Sequence, residues 1–124
     1  MIQLDMGDHR PLYEQIRDKL KEMIIEGFID ENEKIPSVRE MASFLAINPN
    51  TIQKAYRELE NEGYIYSVKA KGFFVSEIGH LGDSDKITEL KGQIKPLIKE
   101  LKFLGMKKEK LVRIIEKIYE EDEL

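Results

Sequence analysis

Two helix-start signals that follow each other closely constrain the fold of this chain most strongly. Ser37 and Glu40 have the spacing of a capping box, in which the Ser hydroxyl and the Glu carboxylate each accept a hydrogen bond from an unpaired backbone N–H. Asn48 is a favourable N-cap and Pro49 suits the first helical position, so another helix begins there. The stretch between the two signals therefore holds one short helix and, at Ala46–Asn48, a short turn.

Apolar residues at helical spacing extend this pattern on both sides. A preceding helix is predicted over Pro11–Glu26, with Gly27 suited to the position just after its last turn. A loop is expected at Phe28–Ile35. The helix that begins after Asn48 is expected to end at Gly63 and to bury one stripe of side chains, namely Ile52, Ala55, Tyr56 and Leu59.

A β-hairpin is predicted after these helices. Tyr64–Val68 and Phe73–Val75 are rich in β-branched and aromatic residues, and Lys69-Ala70-Lys71-Gly72 between them is typical of a turn. Phe74 is expected to pack in the core. Three helices followed by a hairpin make a winged helix-turn-helix, so the chain is predicted to be mainly α with a small β-hairpin.

The remainder of the chain is predicted to form a separate two-helix domain. The winged helix is expected to occupy residues 1–77, and a linker with two glycines residues 78–84, where Asp83 or Ser84 can cap the next helix. Residues 85–124 then form two helices, about Asp85–Leu104 and Lys107–Glu121. The first carries a heptad-like apolar seam, whose residues are Ile87, Leu90, Ile94, Leu97, Leu101 and Leu104.

This seam is the basis for predicting a homodimer. A hairpin of two helices cannot hide a full leucine seam by itself. The seam must therefore pack on a second subunit, on the winged helix, or on both. We favour the second subunit and expect residues 85–124 to be a dimerisation tail.

Polar side chains around the predicted helix-turn-helix have the chemistry that reads DNA. Asn and Gln amides can bond adenine, the Thr methyl can contact thymine, and basic groups can bind phosphate or guanine. Each such side chain taken singly is more often plain solvated surface, and only their combined arrangement is informative. The predicted DNA-binding residues are Arg39, Asn50, Thr51, Gln53, Lys54, Lys69, Lys71 and Gly72.

With these residues identified, the chain resembles the GntR-type bacterial regulators, and its short tail resembles their YtrA-like subgroup. The resemblance implies a homodimeric repressor that binds a palindromic operator, often one that controls transporter genes. It also implies DNA contacts by Arg39, Asn50, Thr51, Gln53 and Gly72. The matching segments are Pro11–Ile16, Ile35–Ala42, Ile47–Tyr56, Glu62–Ile65, and Gly72 with Phe74-Val75.

Four residues depart from the family pattern. Asn32 stands where Gly is usual, but Asn tolerates a positive φ, so the turn is expected to survive. Ala70 replaces a wing Gly and Phe73 a wing Thr, so the wing departs from the family pattern at two positions. Pro49 occupies a position where some relatives carry Arg, so one base contact is absent.

Composition excludes several other classes of protein. The chain lacks Cys and has two His without a metal-spaced partner, and no phosphate loop or nucleophile motif is present. We therefore expect neither an enzyme nor a metal or cofactor site. No signal peptide or membrane span is evident, which favours a cytoplasmic protein. No effector site is recognisable in the sequence. Binding of a ligand at the dimer interface is the alternative that the sequence leaves open.

The formal net charge of −4 is unusual for a protein that binds DNA. Local potential governs binding to phosphates more than net charge does, so the acidic balance does not exclude it. It does leave one alternative open, namely a winged-helix adaptor that binds proteins. Operator binding should weaken steeply with salt, whereas a flat response would favour the adaptor.

Overall fold

The computed structural model of this chain describes residue 4, residues 7–79 and residues 85–121. It divides into two compact units, Met1–Leu81 and Gly82–Leu124. Residues 80–84 of the predicted linker lie outside the described residues. The capping predicted for Asp83 or Ser84 therefore lies outside them as well.

The first unit begins with three helices, α1 (Leu12–Ile25), α2 (Val38–Leu45) and α3 (Pro49–Asn61). The predicted caps are confirmed. The Glu40 N–H donates to Ser37 Oγ and the Ser37 N–H to Glu40 Oε1, both at 3.1 Å. At the start of α3, the Asn50 N–H donates to Asn48 Oδ1 at 2.8 Å.

The turn between α2 and α3 is tight because Ala46 takes a left-handed conformation, with φ 54°. The Ile47 N–H donates to the Ala42 carbonyl at 3.0 Å, which is the bond of a Schellman motif. This motif ends α2 and lets Asn48 begin α3 two residues later. The sequence therefore places both helices of the helix-turn-helix correctly.

Helix α3 is the centre of the first unit and packs against α1, α2 and the following strand. Its predicted apolar stripe is confirmed. The Tyr56 hydroxyl, although buried, donates to the Pro36 carbonyl at 2.8 Å, which ties α3 to the segment before α2. The buried core consists of Ile16, Leu20, Ile35, Met41, Ala42, Ile52, Ala55, Tyr56, Leu59, Ile65 and Val75.

The predicted hairpin is present as β1 (Ile65–Val68) and β2 (Gly72–Val75), paired antiparallel from Ile65↔Val75 to Val68↔Gly72. A short segment of the predicted loop joins this sheet. Lys34 forms an antiparallel bridge with Phe74, and the Ile35 N–H donates to the Phe73 carbonyl at 3.0 Å. Strand β2 thus has a neighbour on each side. We call these three paired segments the wing.

The orientation of the two wing phenylalanines differs from the prediction. Phe73, not Phe74, packs against the core, and its ring meets Tyr56 edge-on at a centroid distance of 5.2 Å. Phe74 stacks on Tyr66 on the opposite face of the sheet. Side chains alternate along a strand, so the burial of Val75 places Phe73 inward and Phe74 outward.

The second unit consists, within its described residues, of α4 (Asp85–Phe103) and α5 (Lys108–Glu121). Gly105 between them has φ +96°, which suits the predicted break. Neither helix contains a buried residue, and the two make few contacts with each other. Within the described part of the chain, no helix is long and apolar enough to span a membrane.

Candidate nucleic-acid interface

The edge of α3 that faces away from the core carries the predicted base-reading residues. Asn50 is exposed, while Thr51 and Gln53 are half-buried. Among the described residues, none of these three side chains has a hydrogen-bond partner. Their amide and hydroxyl groups are therefore available to a ligand at the start of α3.

Lys54, on the same helix, has a partner that the sequence did not reveal. Its Nζ lies 3.9 Å from the centroid of the Tyr13 ring on α1, a cation–π distance. Tyr13 is far from Lys54 in the sequence, and nothing in the spacing indicates this pairing. The contact fixes the lysine head on the side of α3 that borders α1 and leaves the residue exposed.

Arg39 lies in the first turn of α2 and is exposed. Its neighbour Glu40 is engaged in the capping box, and hydrogen bonds from Ser37, with a smaller effect from the charge of Lys34, hold the pKa of Glu40 below its usual value. Within the described residues, Arg39 has no ion-pair partner. Its guanidinium is therefore available for a phosphate or a guanine edge.

The basic residues of α1 and the segment before it are, in contrast, joined to carboxylates. Arg17 contacts Glu58 of α3 at 2.9 Å, and Lys21 contacts Glu62 at 3.1 Å. Arg10 contacts Asp18 at 2.6 Å. The pairs with Glu58 and Glu62 offset part of the negative charge along α3, which is the charge that makes the sequence look unsuited to DNA.

The basic residues around the helix-turn-helix and wing are not joined in this way. In the part of the chain that the structure describes, none of them lies within 4.0 Å of a carboxylate oxygen. Within the first unit, exposed cations without a carboxylate partner therefore lie on α2, α3 and the hairpin turn rather than on α1. The residues are Arg39, Lys54, Arg57, Lys69 and Lys71.

The hairpin turn keeps its shape despite the missing glycine. Ala70 itself adopts the positive φ, at 67°, and the Lys71 N–H donates to the Val68 carbonyl at 2.9 Å. A β-turn that requires a positive φ at its third position normally has Gly or Asn there. Lys69 and Lys71 are exposed at this turn, as the sequence predicted.

Gly72 has a backbone conformation and a close neighbour that both disfavour a side chain at this position. Its φ is +114°, and a Cβ at this position would lie 3.1 Å from Cε of Lys34. The space beside Gly72 is therefore already partly filled by a lysine side chain. The expectation that Gly72 lets the backbone approach DNA stays a prediction. The sequence did not reveal Lys34 as its neighbour, because that position depends on the bridge to β2.

Asn32 confirms the prediction made for its turn, with φ 61°. Its side chain also connects the turn to the wing. The Tyr66 hydroxyl donates to Asn32 Oδ1 at 2.8 Å, and Asn32 Nδ2 donates to Glu77 Oε1 at 3.0 Å. The glycine that is usual at this position could make neither bond.

Acidic and histidine side chains do not form a metal site in the described part of the chain, where no cluster of three or more such groups could hold an ion. The arrangement as a whole presents amides, a hydroxyl and unpaired cations on adjoining elements. Such a surface can bond base edges and phosphates of a duplex.

Comparison with known proteins gives a consistent result. Residues 12–75 match the model of the family described as bacterial regulatory proteins, gntR family. The HTH-type transcriptional repressor YtrA of Bacillus subtilis (strain 168) is 40% identical over 119 residues, which cover 95% of this chain and 92% of the relative.

Two solved structures resemble the chain in both fold and sequence. A transcriptional antiterminator from Listeria monocytogenes EGD-e has a TM-score of 0.70 and 36% identity, and the match covers 98% of this chain and 92% of that one. The DNA-binding domain of AraR in complex with its operator ORE1 has a TM-score of 0.53 and 30% identity, with 61% of this chain and 93% of that one covered.

Proposed function

Because the chain belongs to the GntR family of bacterial regulatory proteins, we propose that this transcription regulator represses genes by binding a palindromic operator as a homodimer. Proteins of this family are regulators rather than enzymes, as the sequence predicted. By analogy with its YtrA-type relative, we place the protein in the cytoplasm. Transporter genes are the targets that the family resemblance suggests.

The selective pairing of charges is the observation that carries the DNA-binding part of the proposal. The cations of α1 are joined to carboxylates, whereas those of α2, α3 and the hairpin turn are not. Phosphate contacts supply most of the affinity of such proteins, and amides at base edges supply the specificity. We therefore propose that Arg39, Lys54 and the hairpin-turn lysines Lys69 and Lys71 bind the backbone while α3 lies in the major groove.

The base-reading part of the proposal rests on the first turn of α3. Asn50, Thr51 and Gln53 lie at the start of a helix whose opposite side is fully buried, so their positions are fixed by the core. The AraR domain, which has a similar fold, is described in complex with operator DNA. We propose the same use of α3 here, with these three side chains facing the bases.

Dimerisation is proposed through the apolar residues of α4. Leu90, Ile94, Leu97 and Leu104 are 40–73% exposed in the single chain, and α5 adds further exposed apolar residues. An apolar surface of this kind normally marks an interface. A second subunit that covered it would also give the protein the two-fold symmetry of a palindromic operator, with α3 helices about 34 Å apart or a multiple of that distance.

Selection of binding sites from random DNA by the purified full chain tests the proposal. We expect a palindromic consensus whose half-sites are spaced by whole helical turns. Binding to the selected site should weaken steeply between 50 and 200 mM salt, by about 10³-fold or more if six or more phosphates are contacted. Failure to enrich any sequence, or a flat salt response, would favour the adaptor function and contradict operator binding.

A further inference from the structure

The side chain of Lys34 crosses the outer face of the wing. Lys34 pairs with Phe74 in the antiparallel bridge, so it shares a sheet face with Phe74 and with Gly72, two residues away along β2. A Cβ on Gly72 would lie 3.1 Å from Cε and 3.9 Å from Nζ of Lys34. The ammonium group therefore lies over the wing, in space that the glycine leaves open.

Lys34 also lies three residues before Ser37, the N-cap of α2. Its charge contributes to the lowered pKa of Glu40, although the hydrogen bonds from Ser37 contribute more. No carboxylate oxygen lies within 4.0 Å of Lys34 Nζ in the described residues. Lys34 thus stands between the two elements that carry Arg39 and the hairpin lysines, and its charge is not held in an ion pair.

From this position, we propose that Lys34 binds a backbone phosphate of the operator and joins the cations of α2 and the wing into one interface. The inference rests on the proposed function and adds a residue to it. It also gives a reason for the absence of a side chain at Gly72. A Cβ there would crowd Cε of Lys34, so the glycine leaves room for the phosphate-binding side chain.

The experiment compares operator affinity over a salt series for the full chain and its variants. Lys34→Met keeps the aliphatic stem and removes the charge, whereas Lys34→Arg keeps the charge. Lys19→Met is the matched control, because Lys19 is an exposed lysine of α1 that lies 3.8 Å from Glu22. The urea midpoint of each variant establishes that it is folded, and Lys34→Gln replaces Lys34→Met if the latter does not fold.

We expect Lys34→Met to make the slope of log K against log salt shallower by about 0.9 for each bound subunit, and to weaken binding about eightfold per subunit at 0.1 M salt. Lys34→Arg should retain the slope, and Lys19→Met should leave it unchanged. Equal effects of Lys34→Met and Lys19→Met would overturn the proposal, because they would reflect net charge and not position.

A double variant distinguishes a phosphate contact by Lys34 from mere neutralisation of the negative charge of Glu40. Glu40→Gln removes the acidic charge, and Gln also serves at this position of a capping box. If Lys34 binds phosphate, Lys34→Met will still flatten the salt dependence in the Glu40→Gln background. If the effect disappears there, Lys34 acts only by offsetting Glu40 and the proposal fails.

The proposed function can fail separately from this inference. If the unaltered chain enriches no DNA sequence, operator binding is contradicted, and the role of Lys34 falls with it. If the unaltered chain binds a selected operator with a steep salt dependence while Lys34→Met behaves identically, operator binding stands and only the role of Lys34 is overturned.

Discussion

Single residues at positive φ shape the turns that orient α2, α3 and the wing. Among the described residues, Asn32, Ala46 and Ala70 adopt φ values of 61°, 54° and 67°. An L-residue in this conformation costs roughly 1–2 kcal/mol, and Asn bears it more easily than Ala. The two alanines have no compensating side-chain bond, whereas the Asn32 side chain makes two. The three positions should therefore respond differently to glycine.

We predict that Ala46→Gly stabilises the protein and that Asn32→Gly destabilises it. Glycine relieves the strain at Ala46, and the greater freedom of the unfolded chain offsets part of the gain, leaving about 0.5–1 kcal/mol. At Asn32 the lost hydrogen bonds to Tyr66 and Glu77 should outweigh the relief by about 1 kcal/mol. Urea unfolding measures both changes. A gain in stability from Asn32→Gly would show that its side-chain bonds contribute little.

The buried Tyr56 hydroxyl makes a second residue-scale prediction. Burial raises the pKa of Tyr56 above its ordinary value near 10. The unfolded chain therefore releases this proton first as the pH rises above 10, and the folded protein loses stability by up to about 1.4 kcal/mol per pH unit. Below pH 10 this contribution to stability is fully present.

Tyr56→Phe isolates that effect. At pH 8 the variant should be less stable by about 1 kcal/mol, because the hydrogen bond to the Pro36 carbonyl is lost. The difference should shrink and then reverse between pH 10 and pH 11, since Phe does not titrate. A difference that stays constant from pH 8 to pH 11 in urea unfolding would contradict the raised pKa.

Arg39 is the residue whose loss should affect operator binding most directly. We predict that Arg39→Ala weakens affinity by about 1–3 kcal/mol and leaves the urea midpoint unchanged, because the side chain is exposed and without an ion-pair partner in the described residues. Lys19→Ala, on α1, is the control for loss of one positive charge. Unchanged affinity for the Arg39 variant would remove this residue from the interface.

At the scale of elements, the wing is a sheet of three paired segments. Glu33–Ile35 adds to β2 through the Lys34↔Phe74 bridge and the bonds to Phe73 and Val75. Phe73 then packs its ring on Tyr56 of α3. The wing is therefore held to α3 by an aromatic contact, at a position where the family pattern has a small polar residue.

Phe73→Thr restores the residue that is usual in the family and tests this contact. We expect a loss of about 2 kcal/mol in unfolding free energy, which combines an aromatic pair worth about 0.5–1.5 kcal/mol with lost apolar burial. Phe74→Thr is the comparison, since Phe74 stacks on Tyr66 away from the core. An equal loss for both variants in urea unfolding would contradict the special role of Phe73.

Elements with strong local signals were the ones that the sequence predicted well. Residues close together in the sequence determine the caps at Ser37 and Asn48 and the buried stripe of α3. The positions of both helices of the helix-turn-helix could therefore be predicted from the sequence. The bridge of Lys34 to β2 could not be predicted, because a single paired residue leaves no periodic pattern. The contacts of Tyr13 with Lys54 and of Lys34 with Gly72 were missed for the same reason, since both join residues distant in sequence.

For the whole molecule, the placement of charge matters more than its sum. The net charge is −4, yet acids of α3 are joined to cations of α1, and Glu60 accepts hydrogen bonds from the Ser67 N–H and hydroxyl. The cations of the proposed interface are left without such partners. Specific binding by a few placed groups is therefore compatible with an acidic chain.

The proposed dimer gives the prediction at this scale. We expect Leu97→Asp to convert the protein to a monomer, because it places a charge without a partner in an apolar seam. Sedimentation velocity measures the change. Lys99→Asp introduces the same residue outside the seam and should leave the dimer intact. If the Leu97 variant still sediments as a dimer, the interface lies elsewhere.

The buried core has a consequence for how a cell could control this protein. Among the described residues, the buried core lies entirely between Ile16 and Val75, and α4 and α5 contribute nothing to it. Folding therefore depends on the first unit, whereas the proposed dimer forms through α4, so we expect a dissociated subunit to stay folded. We expect operator occupancy to follow roughly the square of the subunit concentration below the dimer dissociation constant. Gene dosage and dilution by cell growth would then act as regulatory inputs without any small-molecule signal.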